Sequence, residues 1–317
     1  MKIIDLHLEG IQKDFFFRFT SDSESERLRL SIQASGIRTP VFVQKTQKGY
    51  RLLSGFHRYR IALELGLESI PASPVPDGVP VENAFHDVLL EHMVHRSLNL
   101  IEKARILGIL DRLCSSWESM REHFLPLLEL PPKTEILQDV RDLLTLSPNI
   151  QRYIEKYDLS LKQAVRFGRF SPEDQDFFGG LALELDIRSV ELSSMMAAFQ
   201  DIAGREGLSV TQVSESLGCP KIMTDSQRTR QQRIARIRTE LERRQYPKIY
   251  AWNESVENLK KEMELPEQVR LSWDRSLESP GIRITLDLRS GEVLREALRH
   301  LTKRENQERI EEMLRVV

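Results

Sequence analysis

Three observations predict an α+β N-terminal domain, an all-α middle domain with a helix-turn-helix, and a small β-β-α C-terminal domain. Strand-type alternation occurs only near the two ends of the 317-residue chain, before about residue 76 and again over 269–288. Helical periodicity fills 82–218 almost without interruption. Between these lies a segment, 228–244, that holds seven arginines and two acids. Boundaries drawn at these changes give 1–103, 104–225, a basic helical linker over 226–263, and 264–317.

The elements follow in order. Ile3, Ile4, Leu6 and Leu8 suit a short strand, and Ser21 to Ser35 is a helix stopped by Gly36. Pro40 to Gln44 and Tyr50 to Leu53 are strands joined by a turn at Lys48-Gly49. After Gly55, Arg58 to Gly66 is a helix with Ile61, Ala62 and Leu65 on one face. Ile70-Pro71-Ala72 starts another strand, and Pro74, Pro76, Gly78 and Pro80 mark a loop. In the middle, Pro131-Pro132, Ser147-Pro148, Ser171-Pro172 and Gly179-Gly180 cut the helical stretch into short pieces. Arg121 to Leu130 and Thr134 to Leu146, around Pro131-Pro132-Lys133, form the candidate helix-turn-helix. At the C-terminus, 269–273 and 282–288 alternate with period two, and a helix runs from Ser290 through Leu301. A unit of this size buries too little surface alone, so a second copy is its simplest partner.

Composition limits the function. Lys plus Arg (46) nearly balances Asp plus Glu (48), so any grip on phosphates must come from a local patch. Two cysteines, Cys114 and Cys219, exclude a disulfide framework or a thiolate zinc site and suit a reducing compartment. No apolar run of about 18 residues could span a bilayer, and Met1 to Asp5 opens no export signal. The expectation is a cytoplasmic protein without a membrane partner.

The stretch from Gly36 to Arg60 carries the chemistry. A glycine between strand and helix permits close backbone approach, the helix start offers N–H donors, and Arg58 and Arg60 can fork onto phosphate oxygens. A plain corner with surface arginines has the same spacing. Gly36-x-x-x-Pro40-Val41, Gly55-x-x-Arg58-Tyr59-Arg60-x-Ala62, Leu65-Gly66 and Ile70-Pro71 resemble the ParB/sulfiredoxin N-terminal fold. Glu91-His92-x-x-His95, with Leu98-Asn99-Leu100-Ile101-Glu102-Lys103-Ala104, resembles the ParB box that follows it.

That resemblance implies a DNA-binding dimer, joined through its C-terminal domain, acting in chromosome or plasmid partition or in transcriptional regulation at the nucleoid. CTP with Mg2+ is the implied cofactor. Thr39, Gly55, His57, Arg58, Arg60, Glu91, His92 and His95 are the implied nucleotide-binding residues, with Glu91 and His92 on the metal side. The family Gly-Glu-Arg-Arg is Gly55-Phe56-His57-Arg58 here, which leaves weak CTP hydrolysis open. Sulfiredoxin needs a cysteine where Phe56 stands, and the free-serine kinases need an aspartate where Ser54 stands, so neither chemistry is expected. A ParA-type ATPase partner is left open, because the chain begins directly at its first strand.

The predicted recognition helix offers Gln138 and Arg141 to bases but also carries Glu135, Asp139 and Asp142. Non-specific DNA contacts are therefore expected from Arg228, Arg230, Arg233, Arg236, Arg238, Arg243 and Arg244, a segment of local charge +5. The alternative function is a metal-dependent phosphoester hydrolase using His57, Glu91, His92 and His95. A non-catalytic adaptor that retains only dimerisation is the third reading.

Overall fold

The N-terminal alternation becomes a four-stranded sheet with helices on it. The computed structural model describes residues 3–21, 26–114, 116–276 and 278–316. The elements are β1 (Ile4–His7), α1 (Glu26–Ser35), β2 (Val41–Thr46), β3 (Gly49–Ser54), α2 (Phe56–Glu64) and β4 (Ser69–Pro74). Strand order is β1-β4-β2-β3. β2 and β3 form an antiparallel hairpin, β4 returns parallel to β2, and β1 pairs antiparallel with β4. Val41, Val43, Leu52, Leu53, Ile70 and Ala72 are buried on the sheet, and Tyr59, Ile61 and Ala62 of α2 are buried with them. Gly49 (φ +113°) must lack a side chain, since a Cβ there would lie 2.6 Å from the Gly10 carbonyl oxygen.

Helices follow: α3 (Val81–His95), α4 (Leu100–Leu113), α5 (Trp117–Ser119, continuing into a π-turn over Met120–Phe124), α6 (Thr134–Asp142), α7 (Pro148–Tyr157), α8 (Leu161–Ala164) and α9 (Pro172–Leu185). The Asn99 side chain accepts from the Glu102 N–H while Glu102 reaches back to the Asn99 N–H, a reciprocal cap that fixes where α4 begins. The Glu102 carboxylate is 1% exposed and also takes the Arg96 guanidinium, which leaves no buried charge unmatched there. Ile106, Leu107, Leu110, Leu137, Val140, Ile150, Tyr153 and Phe178 make the helical core.

The chain divides into two compact units, Met1–Leu183 and Glu184–Val317. The second contains α10 (Ser189–Glu206), α11 (Val210–Ser216), α12 (Cys219–Met223), α13 (Arg230–Gln245), α14 (Pro247–Glu262), β5 (Val269–Trp273), β6 (Ile282–Leu286), α15 (Gly291–Leu301) and α16 (Arg304–Val316). Reciprocal caps at Ser209/Gln212 and Thr229/Gln232 start α11 and α13. The expected C-terminal β-β-α pattern is present with two additions. α16 continues beyond α15, and α14 with its C-cap supplies part of the core: Val256 and the capping Met263 pack with Leu271 of β5 and Met313 of α16. Among the described residues no helix is long and apolar enough to cross a membrane.

The crossing of α7 and α9 generates a stability test. A Cβ on Gly179 would sit 2.7 Å from Asn149 backbone, whereas at Gly180 the nearest atom is the Asn149 side-chain nitrogen at 3.9 Å. Gly179→Ala should therefore lower unfolding free energy by about 1–3 kcal/mol through overpacking. Gly180→Ala should be neutral or stabilising by up to about 1 kcal/mol through helix propensity. Urea midpoints of the two variants test the pair.

Candidate anion-binding site and the arginine helix

Gly55 ends β3, opens α2 as its N-cap, and takes φ +93°. A Cβ there would lie 2.7 Å from Val41 Cγ1, so strand and helix meet this closely only through glycine. Glycine also supplies no side-chain acceptor to the first N–H groups of α2, which leaves them for another anion.

Cations from three segments converge on this corner. Arg18 follows Phe17, which is buried and packs against Phe85 at 5.2 Å between ring centroids. The Arg18 guanidinium is pushed below its ordinary range by burial, then by Arg60 and Arg105. His57 is held below the ordinary imidazole value by burial, by Arg18 and Arg60, and by Arg58 to a smaller degree. Its Nε2 lies 3.4 Å from Thr20 Oγ1. Arg105 of α4 donates to the Phe19 carbonyl at 3.2 Å and pairs with Glu155 at 3.2 Å. Like charges gathered in a partly dehydrated corner favour an anionic ligand.

The residues expected at a nucleotide site are placed unequally. Gly55, His57 and Arg60 belong to this corner. Arg58 braces the loop before β2: its Nη1 donates to the carbonyls of Thr39 (2.7 Å) and Pro40 (2.9 Å). Thr39 thus contributes a carbonyl to the brace. Glu91 is exposed and is the carboxylate that favours the Arg58 charge. The His92 ring stands edge-on to Phe19 at 5.0 Å, and burial and Arg96 hold it toward the neutral form. His95 is exposed. The metal set His57, Glu91, His92 and His95 does not assemble. Among the described residues no group of three or more His, Cys, Asp or Glu side chains could hold a metal, and His57 faces guanidinium groups that would repel one. The hydrolase reading has no support. Arg18 and Arg105 were not expected as members of the site. Arg18 could have been suspected beside the aromatic run at 15–17, while nothing near Arg105 distinguishes it from a surface helix residue.

The candidate DNA readers are engaged within the protein. Gln138 donates to Asp142 at 2.7 Å, and Arg141 forks onto Asp111 with bonds of 2.8 and 2.7 Å. In the second unit the arginines face carboxylates that a count over 228–244 omits. Arg228 pairs with Asp225, Arg230 with Asp186 (3.8 Å), Arg233 with Glu184 (3.7 Å), Arg238 with Glu191 (3.4 Å) and Arg244 with Glu206 (2.5 Å). Arg236 pairs with Glu240 inside the segment, and Arg243 lies over the Tyr250 ring at 5.9 Å. Five outside acids match the local +5, so the arginines serve first as ties for α13, whose Ile237 and Leu241 are buried beneath them.

Residues 2–77 match the family model described as ParB N-terminal domain. The chain is 30% identical over 141 residues to a probable chromosome-partitioning protein ParB of Coxiella burnetii, covering 44% of this chain and 46% of that relative. It is 31% identical over 170 residues to the chromosome-partitioning protein Spo0J of Thermus thermophilus, covering 46% of this chain and 62% of that one. It aligns with the C-terminally truncated ParB of Caulobacter crescentus complexed with CTP-gamma-S at 19% identity and a TM-score of 0.26, covering 57% of this chain and 98% of that one. The N-terminal sheet and its glycine corner are those of a ParB N-terminal domain. The similarity to ParB proteins is carried by this N-terminal part, and the chain spans less than two thirds of the length of the curated relatives given above.

The His57 environment fixes the sign of a pH effect. Because its native pKa is lowered, the unfolded chain binds more protons once pH falls below about 6.5, the unperturbed histidine value. Stability is then lost on acidification and regained as pH rises. The urea midpoint of the native protein should fall between pH 7.5 and 5.5, and His57→Gln should make that fall shallower.

Proposed function

We propose that this chain is a nucleotide-responsive DNA-binding protein of the ParB type, acting as a dimer in DNA partition or transcriptional regulation. The observation that carries this reading is the convergence of Arg18, His57, Arg60 and Arg105 on the Gly55 corner of the ParB-type domain. Three phosphates in a row add negative charge to a corner where Arg60 already meets Glu64 at 3.8 Å and Arg105 meets Glu155 at 3.2 Å. The family resemblance points to CTP as the nucleotide and to Mg2+ as its counter-ion, with Glu91 the available carboxylate beside Arg58 and His92 next to it in sequence. Exposed Ile284, Leu288, Leu298 and Leu314 of the C-terminal elements suit the face of a second copy.

Calorimetric titration with CTP, ATP and GTP in the presence of Mg2+, with and without DNA, tests the reading. A triphosphate should bind, and Arg60→Ala should weaken it about tenfold or more, the value of one charge-assisted bond. Failure of every triphosphate to bind at millimolar concentration would end this reading.

DNA is expected to be held mainly through phosphates, because Gln138 and Arg141 are already engaged. Lys162, Arg166 and Arg169 are exposed and make no ion pair among the described residues, so they are the better placed cations. Three phosphate contacts give a slope of log K against log salt of about −2.7, from about −0.9 each. Reversing Lys162, Arg166 and Arg169 to Glu should abolish binding at moderate salt, while Gln138→Ala should change little. Fluorescence anisotropy with unrelated duplexes measures both. Sequence preference that depends on Gln138 would instead return base reading to α6.

A further inference from the structure

Arg105 stands between two anions, one in the protein and one that the proposed function brings. Its Nη1 lies 3.2 Å from Glu155 Oε1 of α7, 3.2 Å from the Phe19 carbonyl oxygen and 3.4 Å from Ser21 Oγ. Ser21 Oγ donates to the same Glu155 oxygen at 2.6 Å. The Glu155 side chain is only 14% exposed, so its charge is poorly screened by water. The segment that carries Phe19 and Ser21 also carries Arg18 and Thr20, which face His57. Glu155 therefore ties the segment that carries Arg18 to α7 while matching the charge of Arg105.

We infer that Glu155 is a built-in anion that competes with the triphosphate for Arg105, and that Arg105 is a further phosphate-binding residue of the corner. The inference rests on the reading of this corner as a triphosphate site. The chemistry is simple exchange of one anion for another. A carboxylate carries one negative charge and a terminal phosphate up to two, so a guanidinium shared between them moves toward the phosphate when it arrives. Arg105 supplies a permanent cation, and Glu155 keeps it matched while the site waits for its ligand.

The test uses the full chain, titrated calorimetrically with inorganic tripolyphosphate and with CTP in saturating Mg2+. Glu155→Gln keeps the shape and the acceptor for Ser21 but removes the charge, and it should tighten both ligands about five- to tenfold. Arg105→Gln should weaken them by a similar factor. In the Arg105→Gln background, Glu155→Gln should have little further effect, because the two act through one contact. If Glu155→Gln does not fold, Glu155→Asp, one methylene shorter, carries the test in the same direction. Binding by the native protein with no change in Glu155→Gln overturns the inference and leaves the triphosphate reading intact. Binding that appears only in Glu155→Gln supports it strongly. No binding by either protein removes both.

Discussion

The N-terminal domain depends on how closely β3 and α2 approach at Gly55. The contact that excludes a side chain there, 2.7 Å from Val41 Cγ1, also sets the direction in which α2 leaves the sheet. From that direction follow the positions of His57 and Arg60 at the corner and of Arg58 on the Thr39 and Pro40 carbonyls. The buried face of α2, with Tyr59, Ile61 and Ala62, holds the corner against the sheet, so that apolar packing bears the cost of gathering like charges. Cations gathered this way repel one another before any ligand arrives, so an anion placed among them would relieve repulsion in addition to forming bonds.

Local chemistry made much of this legible in the sequence. The hairpin of β2 and β3, the helix after Gly55 and both C-terminal strands lie where alternation and glycine place them, because those signals act over neighbouring residues. α16 was missed because the apolar residues after Leu301 are sparse, and only its packing on α14 reveals a face. Arg105 and Glu155 were invisible for a related reason: the chain places them 50 residues apart, and each reads alone as a solvated helix position.

The arginine segment is less electropositive in the fold than along the chain. A window of seven arginines and two acids looks electropositive, yet Glu184, Asp186, Glu191, Glu206 and Asp225 all face it from outside the window. Charge along a chain is a poor guide to charge on a surface once neighbouring segments fold against it. The same caution applies to α6, where Asp111 of another helix takes Arg141. Lys162, Arg166 and Arg169, by contrast, are exposed and have no ion-pair partner among the described residues.

α13 is fastened along its length by many small ties. Exposed ion pairs are each worth about 0.2–1 kcal/mol, so no single arginine is indispensable to the helix. Over evolutionary time such a segment can exchange one pair for another, moving an arginine by a turn or replacing a glutamate with an aspartate. Its residue identities would drift while its shape persisted. Sequence comparison would then lose the helix long before the fold did, and the surviving trace would be composition: a run of basic residues answered by scattered acids elsewhere in the chain.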